Sequence, residues 1–235
     1  MDCLVSIGSY SVYSDCGESM KKLPYQINES FLNIKVTQSG DKRFYSSEGN
    51  GFTPVPSVTT MIGVAYWSPA LERWIKNNRE LGAKIRADGN KLHSFAENKV
   101  LGKKPKAETP NQAAMDKLLE KRLDAVYDVE LGIAGKYFGG RIDLLGVWGG
   151  INSLIDFKTT QKTKELYQIE KYFVQGILYC MLLKEAGMNP MPEQIVIALV
   201  EPNGTIDVHT CSAKDPKYLK KAWTVVQGFG IGLSK

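Results

Sequence analysis

The chain has 235 residues, of which 43% are hydrophobic and 23% are charged, a composition typical of a globular protein with one substantial core. Its net charge of +5 permits an anionic partner without requiring one. No apolar run reaches the roughly 18 residues of a membrane span. The first residues, MDCLVSIGSYSVYSDCGES, lack the basic segment of an export signal. We therefore expect a cytoplasmic protein that does not insert into a membrane.

The length favours one domain over residues 1–235, in which an N-terminal hairpin and helical region of about 1–125 precedes the core of about 126–212 that carries the candidate site. Four cysteines lie at positions 3, 16, 180 and 211. They lack the close spacing of a zinc site or of a disulfide framework, which favours reduced thiols.

Turn and capping residues predict the elements of the first half. Residues 31–47 alternate around an SGD turn and predict a hairpin. In TPVPSVTTMIG, Ser57 stands where it can cap a short helix. A longer helix is predicted over SPALERWIKNNRELGAKIRADG, with Ser68 as N-cap and Pro69 in the first turn, and NKLHSFAENKVLG continues it.

The second half predicts a mixed α/β arrangement. A helix begins at Thr109 and Pro110 and covers TPNQAAMDKLLEKRLDAVYD. After it, VELGIAGKYFGGRIDLLGVWGGINSLIDFKTT predicts a three-stranded meander, and TKELYQIEKYFVQGILYCMLLKEAG predicts a helix. A hairpin through Asn203-Gly204 and a last helix over DPKYLKKAWTVVQGFG follow. Helix, three strands, helix and strand indicate an α/β fold in which helices flank a mixed central sheet.

Two aspartates stand in the apolar strands of the meander. Gly149-Gly150 is a favoured hairpin turn, and counting outward from it pairs Asp143 with Asp156. Opposed side chains have Cβ atoms roughly 4.5 to 5.5 Å apart, where like charges destabilise a sheet. Lys158 shares the face of Asp156 because side chains alternate along a strand. Carboxylates and an ammonium group thus converge, and carboxylate oxygens suit Mg²⁺ or Mn²⁺.

An amphipathic hairpin with its polar face in water is the alternative explanation of the two aspartates. The flanking segments are nearly continuous apolar runs, which indicates strands buried on both faces. Buried carboxylates without a cation carry a large free-energy penalty. The sequence therefore favours a metal site over the amphipathic hairpin.

Two helical spacings add candidates. His93 and Glu97 lie four residues apart and share a helix face, although a surface His-Glu pair has the same spacing. In the later helix a polar and aromatic stripe consists of Gln168, Tyr172, Gln175 and Tyr179. Such a stripe either contacts a partner outside the core or belongs to a tyrosine-rich core helix whose hydroxyl groups are hydrogen-bonded.

Together these features resemble the PD-(D/E)XK, or restriction-endonuclease-like, nuclease superfamily in its RecB-like branch. The motifs are a helical His93, Asp143 in GGRID, Asp156 and Lys158 in IDFK, and Gln175 to Tyr179 in QGILY. The segments PSVTTMIG, LERWIK and GNKLHSFAE are similar to those of the mitochondrial genome maintenance exonuclease group and its phage and bacterial relatives. The resemblance covers about residues 54–200. Ile142 replaces the superfamily's proline, and the second acid is Asp rather than Glu.

The resemblance implies a catalytic set of Asp143, Asp156, Lys158 and His93. The two aspartates would hold one or two Mg²⁺ or Mn²⁺ ions, with His93 and the backbone carbonyl of Phe157 completing the ligands. Glu130 would be a further ligand or support one. Lys158 would orient or deprotonate the attacking water and stabilise charge on the phosphorus, beside an ion that polarises the phosphoryl oxygen. The cysteines offer no counterpart of iron-sulfur ligands, and no iron-sulfur cluster or nucleotide cofactor is expected.

Seven residues are candidates for contact with DNA: Gln175, Tyr179, Tyr172, Thr159, Ser57, Trp67 and Arg73. By resemblance, Gln175 and Tyr179 would face the nucleic acid near the scissile phosphate. VAYWSPALERWIKNNRELGAKIR interleaves aromatic and basic residues, which suits stacking of unpaired bases, although Trp74 could instead pack on the core. The exonuclease group prefers single strands, which implies that single-stranded DNA or frayed ends are consumed from a terminus.

Three classes of function stay in competition. The complete motif set favours a metal-dependent DNA exonuclease in replication, recombination or repair, with a structure-specific endonuclease of the same superfamily as its variant. A catalytically silent nucleic-acid-binding relative is disfavoured because both acids, the lysine and the Gln-x-x-x-Tyr pair are intact. A metal-stabilised hairpin without any substrate is the third class. The sequence sets no oligomeric state.

Overall fold

A computed structural model describes residues 20–40 and 42–229 of the chain. Its strands and α-helices are, in chain order, β1 (Lys35–Ser39), β2 (Lys42–Ser46), β3 (Val55–Pro56), α1 (Val58–Ala65), α2 (Pro69–Asn77), α3 (Arg79–Val100), α4 (Pro110–Arg122), β4 (Leu123–Ala134), β5 (Gly139–Trp148), β6 (Ile151–Thr159), α5 (Leu166–Glu185), β7 (Gln194–Val200), β8 (Ile206–Ser212) and α6 (Pro216–Gly228). Short 3₁₀ turns occupy Glu29–Phe31 and Glu48–Asn50.

A five-stranded mixed sheet forms the centre of the fold. Its order is β4-β5-β6-β7-β8, and its pairs are antiparallel except for the parallel pair β6 and β7. Helix α5 makes the crossover that a parallel pair requires. The order α4-β4-β5-β6-α5-β7 is the predicted helix, three strands, helix and strand. This confirms the predicted fold class, an α/β core with a mixed sheet flanked by helices.

The side-chain pattern of β6 explains why helices cover both faces of the sheet. Leu154 belongs to a core cluster shared with α1, α5 and α6. Ile155 and Phe157 belong to a second cluster, shared with α3 and α4. Alternation along a strand sends successive side chains to opposite faces, so the apolar runs of the sequence need both helical layers.

A small second sheet packs beside the central one. It has the order β1-β2-β3, and its first two strands are the predicted hairpin of residues 31–47. Asp41, in the predicted turn, lies outside the described residues. Tyr45 and Val55 form a small core with Ala134 of β4, and the Ser47 hydroxyl donates to the Ala134 carbonyl at 2.7 Å. These contacts attach the N-terminal hairpin to the core.

The start signals of two helices are confirmed. Ser57 accepts a hydrogen bond from the Thr60 N–H, and Ser68 accepts one from the Leu71 N–H. Thr109 occupies the N-cap of α4, but its side chain makes no capping hydrogen bond.

Two boundaries predicted from the sequence were wrong. The long helix after Ser68 is divided at Asn78, whose backbone angles of φ −130° and ψ 41° are not helical. Residues 123–128, assigned to a helix, begin β4, where Leu123 pairs with Trp148 and Ala125 with Val147. The local sequence LDAVYD suits either state, and pairing with the neighbouring strand decides it.

Two further sequence expectations concern the membrane and the cysteines. None of the described helices is both long enough and apolar enough to cross a bilayer. Cys180 and Cys211 are free thiols, and burial raises the pKa of each to about 12. Cys3 and Cys16 lie outside the described residues.

A glycine in α5 allows the helix to lie close to the sheet. A Cβ added at Gly176 would stand 2.6 Å from Cγ2 of Ile195 in β7, whereas one added at Gly63 in α1 meets nothing within 4 Å. We predict that Gly176→Ala lowers the free energy of unfolding by about 1 to 3 kcal/mol through overpacking. Gly63→Ala should raise it by about 0.5 to 1 kcal/mol. Urea denaturation measures both, and a neutral Gly176→Ala would contradict the close approach.

Candidate metal centre

The candidate site lies where β5 and β6 stop pairing. Trp148 pairs with Ile151 as predicted, and the paired segment ends at Leu144 and Ile155. Asp143 and Asp156 are the next residues in the same register, one step beyond the last pair. From there β5 continues its pairing with β4, and β6 continues its pairing with β7. The two strands separate at the two aspartates and leave room for their carboxylates.

Asp143 connects three elements through its carboxylate. Its Oδ2 accepts a hydrogen bond of 3.0 Å from the backbone N–H of Phe157 in β6. The same oxygen lies 3.4 Å from Nδ1 of His93 in α3. The His93 ring meets the Phe157 ring edge to face, with 6.3 Å between centroids. The helical His93 and the strand Asp143, 50 positions apart in the sequence, are therefore direct neighbours.

Asp156 is a buried carboxylate of which only one oxygen is hydrogen-bonded among the described residues. Its Oδ1 lies 2.6 Å from Nζ of Lys158 and accepts a longer hydrogen bond of 3.4 Å from Nε2 of Gln175 in α5. Within the described residues, its Oδ2 is buried and has no hydrogen-bond partner. Burial raises the pKa of Asp156 to about 6; Lys158 opposes that rise and Asp143 adds to it.

Lys158 is held in its charged form by its neighbours. Burial lowers the pKa of this ammonium group, but the charges of Asp156 and Asp143 and the hydrogen bond to Asp156 outweigh burial and raise it. In the absence of a bound ion, Lys158 is thus a cation paired with an acid.

Glu130 is brought to the site by an unusual backbone. It occupies the step of β4 between the pairs Val129–Leu144 and Leu131–Ile142, which is the step of Asp143 in β5. Its φ is +53°, a left-handed value that is uncommon for a residue other than glycine. Val129 and Leu131 would share a face in a regular strand, yet they pack in different core clusters. The left-handed residue between them accounts for this exchange of faces.

Glu130, His93 and Asp143 form a group suited to a metal ion. One ligand atom from each lies within 4.8 Å of the others. Burial and the charge of Asp143 raise the pKa of Glu130, against the lowering influence of His93 and of Arg141, whose Nη1 lies 3.7 Å from Glu130 Oε2. Backbone strain concentrates at functional sites, and here the strained residue is Glu130, whose carboxylate lies near Asp143. Asp156 is not one of this group of three.

The Phe157 carbonyl points toward the same gap. In an extended strand the N–H and C=O of one residue lie on the same side, since hydrogen-bonded pairs exchange both bonds. The Phe157 N–H reaches Asp143, so its carbonyl faces the β5 side as well. Two carboxylates, an imidazole and a carbonyl thus face one region, and a divalent cation suits this donor set. The unpartnered Asp156 oxygen fits the same interpretation.

The residues predicted to face nucleic acid on α5 are buried. Gln175 is 7% exposed and Tyr179 is 3% exposed. Gln175 contacts Asp156, and the ring of Tyr179 lies 2.7 Å from where a Cβ of Gly140 would stand. The second glycine of GGRID therefore makes room for the tyrosine, which sequence reasoning did not anticipate. The DNA-contact roles of Gln175 and Tyr179 stay predictions.

Three further DNA-binding candidates have different surroundings. Tyr172 is half-buried, and its ring centroid lies 5.6 Å from Nζ of Lys158. The Thr159 hydroxyl lies 3.2 Å from the position of a Cβ on Gly89 of α3. Ser57 is buried and its hydroxyl already contacts Thr60, so its oxygen is occupied by the cap of α1.

The aromatic and basic residues of α2 lie at the surface. No residue of α2 is buried; Trp74 is 43% exposed and Trp67, just before the helix, is 52% exposed. Arg73 is exposed on the same helix. The alternative in which Trp74 packs into the core is wrong, and these rings are accessible to a partner.

The chain has only distant similarity to the known proteins named below. No protein-family model and no curated protein matches the chain. Among solved structures, a phage-related exonuclease from Haemophilus somnus 129PT is 12% identical over 73% of this chain and 89% of its own, with a TM-score of 0.36. Scheffersomyces stipitis Rai1, in complex with (3′-NADP)⁺ and a calcium ion, is 16% identical over 40% of this chain and 27% of its own, with a TM-score of 0.25.

The buried Asp156 predicts a pH-dependent effect of neutralising it. Its pKa is about 6 in the folded chain against an ordinary value of 3.8, so folding with an ionised Asp156 costs free energy at pH 8. The cost shrinks as the pH falls below 6, because the group becomes protonated in the folded state, and it is lost fully only below the unfolded value of 3.8, where the unfolded state is protonated as well. In EDTA, Asp156→Asn should therefore be more stable than the wild type at pH 8 by roughly 1 to 3 kcal/mol, with a smaller difference near pH 4.

Urea denaturation at both pH values measures this difference, with the exposed Glu72→Gln as the control for removal of an acidic charge. A destabilised Asp156→Asn at pH 8 would mean that the pairing with Lys158 outweighs the cost of burial.

Proposed function

We propose that the chain is a divalent-metal-dependent deoxyribonuclease that hydrolyses phosphodiester bonds from a DNA end. The observation that best supports this is the convergence of Asp143, Asp156, Lys158 and His93 where β5 and β6 separate. The four side chains come from a helix and two strands, and the chain holds the buried Asp156 and the half-buried Asp143 there despite their mutual repulsion. A fold gains little stability from such a cluster, which favours a catalytic explanation over a structural one.

The metal ligands in this proposal are Asp143, Asp156, His93, Glu130 and the Phe157 carbonyl. When bound, Mg²⁺ or Mn²⁺ polarises a phosphoryl oxygen and acidifies the attacking water. The charges of the site favour such an ion, because only the ammonium of Lys158 and the exposed guanidinium of Arg141 form salt bridges with these three acids among the described residues, apart from the contact of His93 with Asp143.

Lys158 is the residue of the chain that acts on the reacting phosphate. Its ammonium group donates hydrogen bonds to a phosphoryl oxygen and stabilises the negative charge that builds there; it also orients the attacking water. In the reaction the water oxygen forms a bond to phosphorus while the bond to the leaving deoxyribose oxygen breaks. The attacking water releases one proton to solvent and keeps the other on the new phosphate hydroxyl, and the leaving oxygen takes up one proton from solvent.

Single-stranded DNA is the proposed substrate, in replication, recombination or repair. Trp67 and Trp74 are accessible rings beside Arg73, and base stacking on such rings requires an unpaired base. In this proposal residues 1–235 form one nuclease domain, with the catalytic core at about 126–212 and the exposed α2 guiding the strand toward it.

Removal of the lysine gives the first functional test. We predict that the wild type releases acid-soluble nucleotides from DNA only when Mg²⁺ or Mn²⁺ is present. Lys158→Ala should lower the rate by at least about 100-fold, as expected when a group that stabilises transition-state charge is lost. It should leave circular dichroism and DNA affinity in EDTA nearly unchanged.

The exposed neighbour Lys162 provides the matched control. Lys162→Ala removes one lysine charge from the same segment and should cleave at the wild-type rate. Cleavage by the wild type in EDTA, or by Lys158→Ala at the wild-type rate, would place the activity elsewhere. Binding without cleavage by the wild type would select a catalytically silent DNA-binding protein.

The form of the DNA gives the second functional test. Matched linear single-stranded, linear duplex and circular single-stranded substrates separate the end requirement from the strand preference. We expect the linear single strand to be digested fastest and the circle to resist, because the exposed rings accept unpaired bases and hydrolysis begins at a terminus. Efficient cutting of the circle would indicate an endonuclease, and faster digestion of blunt duplex would refute the stacking argument.

A further inference from the structure

Three lysines gather around one tyrosine beside the proposed catalytic lysine. The Tyr172 ring centroid lies 5.6 Å from Nζ of Lys158, 5.2 Å from Nζ of Lys164 and 5.2 Å from Nζ of Lys171. The Lys164 ammonium also donates to the Tyr172 hydroxyl at 3.0 Å. Two of these lysines come from α5 and the segment before it, and Lys158 comes from the end of β6.

The charges of this group are incompletely balanced. Lys158 is paired with Asp156. Over residues 20–40 and 42–229, neither Lys164 nor Lys171 forms a salt bridge. Contact with an aromatic face gives an exposed ammonium about 0.5 to 1 kcal/mol, whereas an anion between ammonium groups would also relieve their mutual repulsion.

The Tyr172 hydroxyl can also donate a hydrogen bond to an anion. A phenolic hydroxyl has one hydrogen to donate and lone pairs to accept. Because Lys164 donates to this oxygen, the hydroxyl hydrogen is left for an acceptor. Two ammonium groups and one hydroxyl are the donor set that a phosphate group uses.

An exposed ring stands next to these donors. Tyr167, in the first turn of α5, is 76% exposed. It lies four residues before Lys171, so the two side chains are neighbours on the helix surface. An accessible ring beside phosphate donors suits an unpaired base with its backbone phosphate, which points to a nucleic-acid strand rather than a free anion.

We infer that Lys164, Lys171 and Tyr172 bind the backbone phosphate adjacent to the scissile phosphate on the same strand. The base of that nucleotide stacks on Tyr167. This site rests on the proposed nuclease function and extends it, because it fixes the strand beside Lys158. The phosphate is an internal diester or the terminal monoester of the strand. A diester offers two non-bridging oxygens and a monoester three, and either kind accepts hydrogen bonds from these donors.

Binding of a fluorescent single-stranded oligonucleotide in EDTA tests the site without cleavage. We expect the double variant Lys164→Gln/Lys171→Gln to bind about tenfold more weakly than the wild type. The slope of log affinity against log salt should fall in magnitude by about 0.7 for the lost phosphate contact. Tyr167→Ala should weaken binding and leave the salt slope unchanged, because stacking releases no counterions.

The matched control is Lys184→Gln, an exposed lysine in the last turn of the same helix, which should bind as the wild type does. Oligonucleotides with and without 5′- and 3′-terminal phosphates distinguish the two sources of the phosphate. If the site binds a terminal monoester, the double variant should no longer distinguish oligonucleotides with a terminal phosphate from those without one. If the site binds an internal diester, the double variant should lose the same factor of affinity for every oligonucleotide.

Cleavage in Mg²⁺ is measured in parallel. If the double variant binds with the affinity and salt slope of Lys184→Gln while the wild type cleaves, the phosphate site is refuted and the nuclease proposal stands. If the wild type binds through these lysines but never cleaves, the nuclease proposal fails and the phosphate site stands.

Discussion

The burial of carboxylates where β5 and β6 separate is the constraint on which the rest of the site depends. Asp156 is buried with one oxygen paired to Lys158, and its other oxygen has no hydrogen-bond partner in the part of the chain that the structure describes. Asp143 spans the gap to the Phe157 N–H. A buried charge is costly unless it is paired. Lys158 compensates one acid, and in the proposed function a divalent cation compensates the others, so the electrostatics that weaken the metal-free fold would favour binding of an ion.

The surrounding elements bring further groups to this gap by different physical routes. Helix α3 packs on the Phe157 side of the sheet and brings His93 to Asp143. Strand β4 brings Glu130 through a left-handed residue. Helix α5 covers the other face, where Gln175 reaches Asp156 and the group of lysines around Tyr172 begins. His93, Glu130 and Asp143 therefore gather on the α3 side of the sheet, whereas Asp156, Lys158 and the lysines around Tyr172 meet α5 on the other side.

Much of this arrangement could be predicted from the sequence, because local signals determine it. The Gly149-Gly150 turn fixes the hairpin register, and that register brings the two aspartates together. Non-local effects were missed: LDAVYD becomes a strand only because β5 is available to pair with it, and α3 begins at a backbone break at Asn78. The left-handed Glu130 has no sequence signal, since the residue type disfavours that conformation. The burial of Gln175 and Tyr179 follows from packing on the sheet, which helical spacing alone does not reveal.

Mn²⁺ binding by the purified protein tests the central claim most directly. Titration followed by electron paramagnetic resonance reports bound and free ion without any substrate. The account predicts saturable binding by the wild type, loss of that binding in Asp143→Asn, and weaker binding in Glu130→Asn, where asparagine tolerates the left-handed backbone but removes the charge. Wild-type protein that leaves all Mn²⁺ free, or an Asp143→Asn variant that binds as well as the wild type, would contradict it.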